Sequence, residues 1–294
     1  MRTSKWVTSY DQTQLHYTIG GQGGPIFLLF DGIGCDGFIW PYLRPYLEEI
    51  GTVIHLHMRG HGESAEPAYP EHIEIPHLAR DWESLFEQES LTQDQPLIGL
   101  GHSMGVQVCL ELRKKRPDLN WCGLILMCGT FEHTTSHFHD TQMLDRVLPI
   151  LRKAAKLGGE RLRKVWSKMI RFPFAVQLAR MTEMDPNLSR KRDIENYLNH
   201  LARLDPQVFL SMLNAAGQHS VRTALGSIHT PALIIAGEKD HFTPARLSEE
   251  MVHLMPKGEL LMIEGGTHAA PIEHTIEVNQ SIRHFIQRCT QVCA

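Results

Sequence analysis

The sequence predicts an α/β fold with a mostly parallel, eight-stranded sheet, flanking helices and an inserted helical cap. Short apolar runs bounded by glycine or proline recur along the chain, and helical periods lie between several of them. This alternation stops after Thr130, helical periods alone follow, and the strand pattern resumes at Pro231. Strands that alternate with helices are typical of a parallel sheet. We therefore expect a discontinuous core, residues 1–130 and 230–294, and a cap at residues 131–229.

The predicted strands are short and fall into two groups, six before the insertion and two after it. They lie near residues 4–9, 14–19, 25–30, 52–57, 96–101, 121–127, 231–236 and 259–263.

Three helices are predicted from the spacing of their apolar residues. The first helix lies between the fourth and fifth strands, and its apolar face consists of Leu78, Trp82, Leu85 and Phe86. A second, Met104 to Arg116, is apolar enough to lie under the sheet. A third, in the insertion, repeats its apolar residues at Ile194, Tyr197, Leu198 and Leu201.

Composition and charge exclude several classes of protein. The 294 residues are 42% hydrophobic and 21% charged, which is typical of a globular chain and not of collagen, coiled coils or disorder. The net charge is −4, so we expect no nucleic-acid partner. The apolar runs are far shorter than the roughly 20 residues that span a bilayer, and we expect no transmembrane segment. The N-terminus has no secretory core and the six cysteines form no Cys-x-x-Cys pair, which favours a reduced, cytoplasmic protein.

The most specific motif is Gly101-His102-Ser103-Met104-Gly105, which follows one predicted strand and opens a predicted helix. Gly-x-Ser-x-Gly in this context is typical of a nucleophile elbow, a strained turn that exposes the serine hydroxyl. The two glycines remove Cβ atoms that would collide with neighbouring elements. The alternative is a glycine-rich turn with a capping serine.

A serine hydroxyl is a weak nucleophile at neutral pH and needs a base and an orienting acid. Asp240 follows the strand near 231–236, and His268 follows the strand near 259–263. The order Ser103, Asp240, His268 fits a serine hydrolase in which each residue lies at the carboxyl edge of the sheet.

On these motifs the chain resembles the α/β-hydrolase fold superfamily over its length apart from the cap. The resemblance implies that Ser103 is the nucleophile, His268 the base and Asp240 the acid. The segment His57-Met58-Arg59-Gly60-His61-Gly62-Glu63-Ser64 resembles the superfamily's Asp-x-Arg-Gly-x-Gly-x-Ser turn, with His57 in place of the aspartate, and we interpret it as structural. The resemblance does not specify a substrate.

The oxyanion hole is expected to combine the backbone N–H groups of Met104 and Ile33. Ile33 lies in the loop Asp31-Gly32-Ile33-Gly34, where the superfamily usually has His-Gly in place of Asp31-Gly32. We expect Asp31 to turn away from the oxyanion and to bond its own loop as an Asx-type turn, with a direct catalytic role as the alternative. The Gly-Ile-Gly step also resembles, locally, intracellular medium-chain polyhydroxyalkanoate depolymerases.

Several residues compete for a catalytic role. Glu132 follows the sixth strand and is the alternative acid; Cys35 lies near the oxyanion loop and is interpreted as a packing residue. His102 and His241 flank catalytic positions, and we expect them to support or pack. A further group of side chains imitates a metal site but is interpreted as a polar loop: His133, His137, His139 and Asp140.

The leading function is hydrolysis of a carboxylic ester with an apolar acyl or aryl group, through an acyl-enzyme and without cofactor or metal. Bulky apolar residues of the cap are expected to line the pocket. The alternatives are carbon–carbon, thioester, lactone or polyester hydrolysis or lyase chemistry on the same triad, and a hydrolase-like receptor with little turnover.

Charge is distributed unevenly. Residues 146–192 hold thirteen Lys and Arg against three acids, so this segment carries +10 and the remainder −14. Such asymmetry can steer anionic substrates or bring the basic cap to an anionic lipid surface. The alternative is a solvated basic face whose apolar side packs on the core.

Overall fold

A single eight-stranded sheet organises the molecule. The computed structural model describes residues 1–137, 143–171, 184–185 and 187–293. The strands, in chain order, are β1 Thr3–Thr8, β2 Gln14–Gly21, β3 Ile26–Phe30, β4 Thr52–Leu56, β5 Leu97–His102, β6 Trp121–Met127, β7 Ala232–Gly237 and β8 Gly258–Ile263. Each of the eight predicted strands is confirmed, with ends within about two residues.

The sheet order is β1-β2-β4-β3-β5-β6-β7-β8. β2 pairs antiparallel with β1 and with β4, and the remaining neighbours are parallel, so the mostly parallel sheet is confirmed. The parallel strands share one carboxyl edge, and the loops after β3, β5, β7 and β8 meet there. This edge positions the candidate site.

Helices cover both faces of the sheet. The described ones are α1 Arg44–Ile50, α2 Ile75–Gln88, α3 Met104–Lys115, α4 Thr134–His137, α5 Met143–Ile170, α6 Lys191–Leu201, α7 Pro206–Gln218, α8 Arg222–Leu225, α9 Ala245–Leu254, α10 Ala270–Glu273 and α11 Thr275–Cys293. The apolar face predicted for α2 is buried, and every residue of α3 from Met104 to Leu112 is buried. The strands that α3 packs against, β3 and β5, are also buried throughout.

The segment between β6 and β7 contains α4 to α8. α5 bends at Gly159, whose φ of 46° departs from helical geometry. The four apolar residues predicted to share a face of α6 are all buried. The helical content predicted here is therefore found, whereas the boundaries of a separate cap stay a prediction.

The cysteines only partly match the expectation of a reduced chain. Cys35, Cys109, Cys128 and Cys289 are free thiols and buried. Cys122 is disulfide-bonded, so the expectation is wrong at this residue. Among the described residues, the structure contains no helix with the length and apolarity needed to cross a membrane.

Candidate active site

Ser103 lies in a strained turn between β5 and α3. Its φ of 54° and ψ of −123° fall where non-glycine residues are rare. A Cβ on Gly105 would lie 2.1 Å from the carbonyl oxygen of Phe30, and one on Gly101 would lie 2.8 Å from that of Gly105. Because backbone atoms on β3 and α3 occupy these positions, glycine is needed on both sides of the serine. The turn brings the hydroxyl to the carboxyl edge of the sheet.

Three side chains from three loops form a continuous hydrogen-bonded chain. The Nε2 atom of His268 lies 2.9 Å from Oγ of Ser103, and its Nδ1 atom lies 2.8 Å from Oδ2 of Asp240. With a proton on Nδ1, the ring donates to Asp240, and Nε2 is the atom that can accept the serine proton. The structure thus brings together the three residues that the sequence selected.

Asp240 is 4% exposed and holds its charge through four contacts. Oδ1 accepts from the backbone N–H groups of Phe242 at 2.8 Å and Thr243 at 2.9 Å; Oδ2 accepts from the Thr243 hydroxyl at 2.8 Å and from His268. Burial opposes ionisation, but His268 and these hydrogen bonds outweigh it and hold the pKa of Asp240 below its ordinary value. The loop after β7 is therefore built around an ionised carboxylate.

Two backbone N–H groups beside Ser103 donate to no acceptor among the described residues. One is the N–H of Met104, in the first turn of α3, where helical N–H groups have no partner within the helix. The other is the N–H of Ile33 in the loop after β3. A Cβ on Gly32 would lie 2.8 Å from Cβ of Ser103, so this loop passes directly against the elbow.

His61 anchors the loop that carries Ile33, a contact the sequence did not reveal. The Gly34 N–H donates to Nε2 of His61 at 3.0 Å, and Nδ1 lies 3.2 Å from the Arg59 carbonyl, to which it can donate. Burial, together with His200, lowers the pKa of His61 to about 4. The ring is therefore neutral at neutral pH and can accept from Gly34.

Asp31 is turned away from the serine and is 1% exposed. Trp40 Nε1 donates to Oδ1 at 2.7 Å, and Nε2 of His55 lies 2.7 Å from Oδ2. Burial raises the pKa of Asp31, but His55 and Trp40 outweigh this and lower it. These partners replace the Asx-type turn that was expected, because a ring on β4 and an indole nine residues along the chain reach the carboxylate.

A cavity of about 80 Å³ lies over the hydroxyl. The loop after β3 contributes Ile33, Cys35 and Phe38, and the segment between β6 and β7 contributes apolar or small side chains, namely Thr134, Tyr197, Phe209 and Leu213. Its lining is mainly apolar.

The competing residues lie in other environments. Glu132 pairs with Arg222 at 2.6 Å and accepts from Ser220 at 3.1 Å. Cys35 is buried at the pocket wall. His102 lies 3.0 Å, through Nε2, from the His268 carbonyl oxygen, and burial together with His268 lowers its pKa to about 4. His241 lies exposed beside Asp240.

The histidine group after β6 lies partly outside the described residues. His139 and Asp140 are beyond them, as is the side chain of His137. Nδ1 of His133 lies 3.1 Å from the Gly217 carbonyl oxygen. In the described part of the chain, no three His, Cys, Asp or Glu side chains form a group that could hold a metal ion.

The turn after β4 is held by buried charge. The Arg59 guanidinium is 0% exposed, pairs with Asp11 at 2.7 Å and also pairs with Asp81. His57 Nδ1 accepts from the Glu63 N–H at 3.1 Å. Burial and His55 lower the pKa of His57 to about 3, so this ring replaces the usual aspartate as a neutral acceptor.

Comparison with known proteins now identifies the family. A family model described as hydrolase 4, serine aminopeptidase S33, matches residues 44–275. The chain belongs to this family of α/β hydrolases. The matched range includes Ser103, Asp240 and His268.

Individual relatives of this hydrolase are distant. It is 26% identical over 279 residues to a dihydrolipoyllysine-residue acetyltransferase component of an acetoin cleaving system from Pseudomonas putida, covering 92% of the chain and 66% of that protein. It is 25% identical over 262 residues to a pimeloyl-[acyl-carrier protein] methyl ester esterase from Neisseria meningitidis, covering 88% of the chain and 76% of the relative. The bromoperoxidase structure from Bacillus anthracis superimposes with a TM-score of 0.77 at 19% identity, over 97% of this chain and 100% of the other. The last match shows the fold alone.

Proposed function

We propose that this hydrolase cleaves carboxylic esters by a serine acyl-enzyme mechanism. The observation that carries the proposal is the hydrogen-bonded chain from Ser103 through His268 to Asp240, beside the N–H groups of Ile33 and Met104. A nucleophile, a base, an orienting acid and an oxyanion hole are the four parts that acyl transfer from an ester needs.

The proposed reaction has two steps. Ser103 Oγ attacks the ester carbon while its proton passes to Nε2 of His268, and the carbonyl oxygen becomes an oxyanion bound by the N–H groups of Ile33 and Met104. The carbon–oxygen bond to the alcohol breaks as His268 returns the proton to the leaving alkoxide. Water then attacks the acyl-enzyme by the same route and releases the acid. Asp240 stabilises the imidazolium that forms in each step.

We propose a short acyl group, or a small alcohol, as the part of the substrate that occupies the cavity over Ser103. Its volume of about 80 Å³ is well below the 300–1,000 Å³ typical of drug-sized ligands. The lining by Ile33, Phe38 and Phe209 favours an apolar group. Thioesters have the same acyl carbon and are a second substrate class for the same machinery.

Residues 131–229 are proposed to act as a cap over this site. Tyr197, Phe209 and Leu213 lie within the segment and line the cavity. A Cβ on Gly34 would lie 3.1 Å from a Leu201 methyl group, so the segment also packs on the oxyanion loop. Such a cover excludes water and selects the acyl group.

The test uses 4-nitrophenyl esters from acetate to octanoate and a fluorophosphonate probe. We expect turnover of the short esters, labelling of the wild type, and loss of both in Ser103→Ala. Turnover that persists in Ser103→Ala would contradict the assignment. A wild type that neither turns over any ester nor reacts with the probe, but binds a small ligand, would favour the receptor alternative.

A further inference from the structure

A second, larger cleft opens beside the catalytic cavity. Its volume is about 780 Å³, and Phe38 lines both spaces. One wall is a face of α6 and the residues that follow it, namely Arg192, Asn196, Asn199 and Arg203. The rest of the described lining includes Asp36, Tyr42, Arg171, Arg190 and Asp193.

The four arginines of this cleft have no carboxylate partner among the described residues. Arg190 lies over the Tyr42 ring at 4.6 Å. Arg171, Arg192 and Arg203 form no ion pair with a described side chain. All four are exposed. The cleft therefore presents three guanidinium groups without a described ion-pair partner, and a fourth, that of Arg190, which is held by Tyr42.

Two arginines elsewhere in the segment between β6 and β7 are neutralised. Arg163 pairs with Glu66 at 2.7 Å and also with Asp205. Arg222 pairs with Glu132 at 2.6 Å and with Glu250 at 2.8 Å. Arg146, Arg152 and Arg161 are exposed and also form no ion pair with a described side chain. What distinguishes the cleft is that four such arginines line one space.

The two carboxylates of the cleft are already engaged. Oδ2 of Asp36 lies 3.0 Å from Nδ1 of His200. Asp193 is 6% exposed and accepts from the Tyr42 hydroxyl at 2.7 Å. Each carboxylate therefore has its own partner, and neither forms an ion pair with an arginine of the cleft.

We propose that this arginine cleft binds an anionic group, a phosphate or a carboxylate, at the end of the substrate remote from the scissile ester. Guanidinium groups recognise such oxygens with paired, charge-assisted hydrogen bonds. The small apolar cavity and the large cationic cleft are adjacent, because Phe38 lines both. In the proposed arrangement, one substrate passes this ring and places an apolar end at Ser103 and an anionic end among the arginines. This inference rests on the proposed function and specifies its substrate class.

Two matched pairs of substrates test the inference and locate the anion. Butyryl-4′-phosphopantetheine and butyryl-pantetheine differ by one phosphate on the leaving-group side. Monomethyl suberate and methyl octanoate differ by a carboxylate on the acyl side. Thiol release follows the first pair and acid release the second, with 4-nitrophenyl butyrate as a neutral reference.

The variant is Arg192→Gln/Arg203→Gln, and the control is Lys191→Gln. Lys191 is exposed, lies on α6 outside the cleft lining, and loses the same kind of charge. In at least one pair, we expect kcat/KM of the wild type to favour the anionic member. The double variant should lower that kcat/KM about tenfold or more, since two charge-assisted hydrogen bonds are removed. Neutral substrates, and the control on every substrate, should change by less than about twofold.

A response of the phosphate pair assigns the anion to the leaving group, and a response of the carboxylate pair assigns it to the acyl group. If 4-nitrophenyl butyrate is hydrolysed, the inference would be overturned by either of two results. One is no preference for the anionic member in either pair, and the other is a preference that the double variant retains. If none of the five substrates is hydrolysed, the proposed function itself is refuted. Calorimetric titration then tests the cleft alone, with 4′-phosphopantetheine if the phosphate pair responds and with suberate if the carboxylate pair responds. Equal binding by wild type and double variant would overturn the inference.

Discussion

Replacing Asp240 by asparagine tests the triad most directly, because it removes a charge and changes few contacts. The amide oxygen of the introduced side chain can still accept from the N–H groups of Phe242 and Thr243, which keeps the loop after β7 in place. Its amide nitrogen would replace Oδ2, which now lies 2.8 Å from Nδ1 of His268. Two donors would then face each other.

The imidazole resolves this conflict by moving its proton from Nδ1 to Nε2. In that tautomer His268 donates towards Ser103 and cannot take the serine proton. An orienting acid lost in this way costs about 10⁴ in kcat, or about 5.4 kcal/mol in the barrier. By contrast, Thr243→Ala removes one hydrogen bond of about 1 kcal/mol to Oδ2 and leaves the acid, so it should cost only about fivefold.

The assay is kcat for 4-nitrophenyl butyrate, with the thermal midpoint as a measure of folding. We expect Asp240→Asn to lose turnover with a near-wild-type midpoint, and Glu132→Gln to keep turnover, because Glu132 is paired with Arg222. A folded Asp240→Asn enzyme with more than about a tenth of wild-type activity would refute the assigned role. Loss of activity in Glu132→Gln alone would assign the acid to the loop after β6.

Three further predictions concern strain, the oxyanion loop and pH. Ser103→Gly should raise the free energy of unfolding by about 1 kcal/mol in thermal denaturation, because glycine adopts a φ of 54° without strain. A free energy of unfolding below that of the wild type would argue against strain at the elbow. His61→Leu cannot accept from the Gly34 N–H and should lower kcat/KM about tenfold or more. His61→Gln retains an acceptor and should have a kcat/KM between those of the leucine variant and the wild type. Equal kcat/KM in the two variants would show that the hydrogen bond to Gly34 does not support catalysis. The depressed pKa of Asp240 stabilises the fold above the carboxyl's unfolded value of 3.8, and this contribution is lost as pH falls through the folded pKa. Below about pH 4, the wild type should therefore lose unfolding free energy relative to Asp240→Asn. A difference between the two proteins that does not depend on pH would contradict the depressed pKa of Asp240.

The fold could be predicted from sequence because its signals are local. Short β-like runs, the later ones apolar and bounded by glycine or proline, located all eight strands, and Gly101 and Gly105 marked the turn that exposes Ser103. Asp240 and His268 were selected by one simple rule, that each follows a strand of a parallel sheet.

The contacts around the site could not be predicted, because they join residues that are distant in sequence. Asp31 was expected to form an Asx-type turn within its own loop, but its partners are Trp40, nine residues along the chain, and His55 on the neighbouring strand. The bond from Gly34 to His61 spans 27 residues and needs a particular histidine tautomer. No periodicity encodes which arginines of a basic segment find carboxylates and which remain unpaired.

The buried Arg59 network changes how the N-terminal edge of the sheet is expected to unfold. β1 is an edge strand of the sheet, and such a hairpin would ordinarily fray before the core opens. Arg59 ties Asp11, in the turn between β1 and β2, to Asp81 on α2. Opening the hairpin alone would leave a buried cation without one of its anions, at a cost of about 3–5 kcal/mol. Amide hydrogens of the β1–β2 hairpin should therefore exchange with solvent together with those of the central strands, as one cooperative unit.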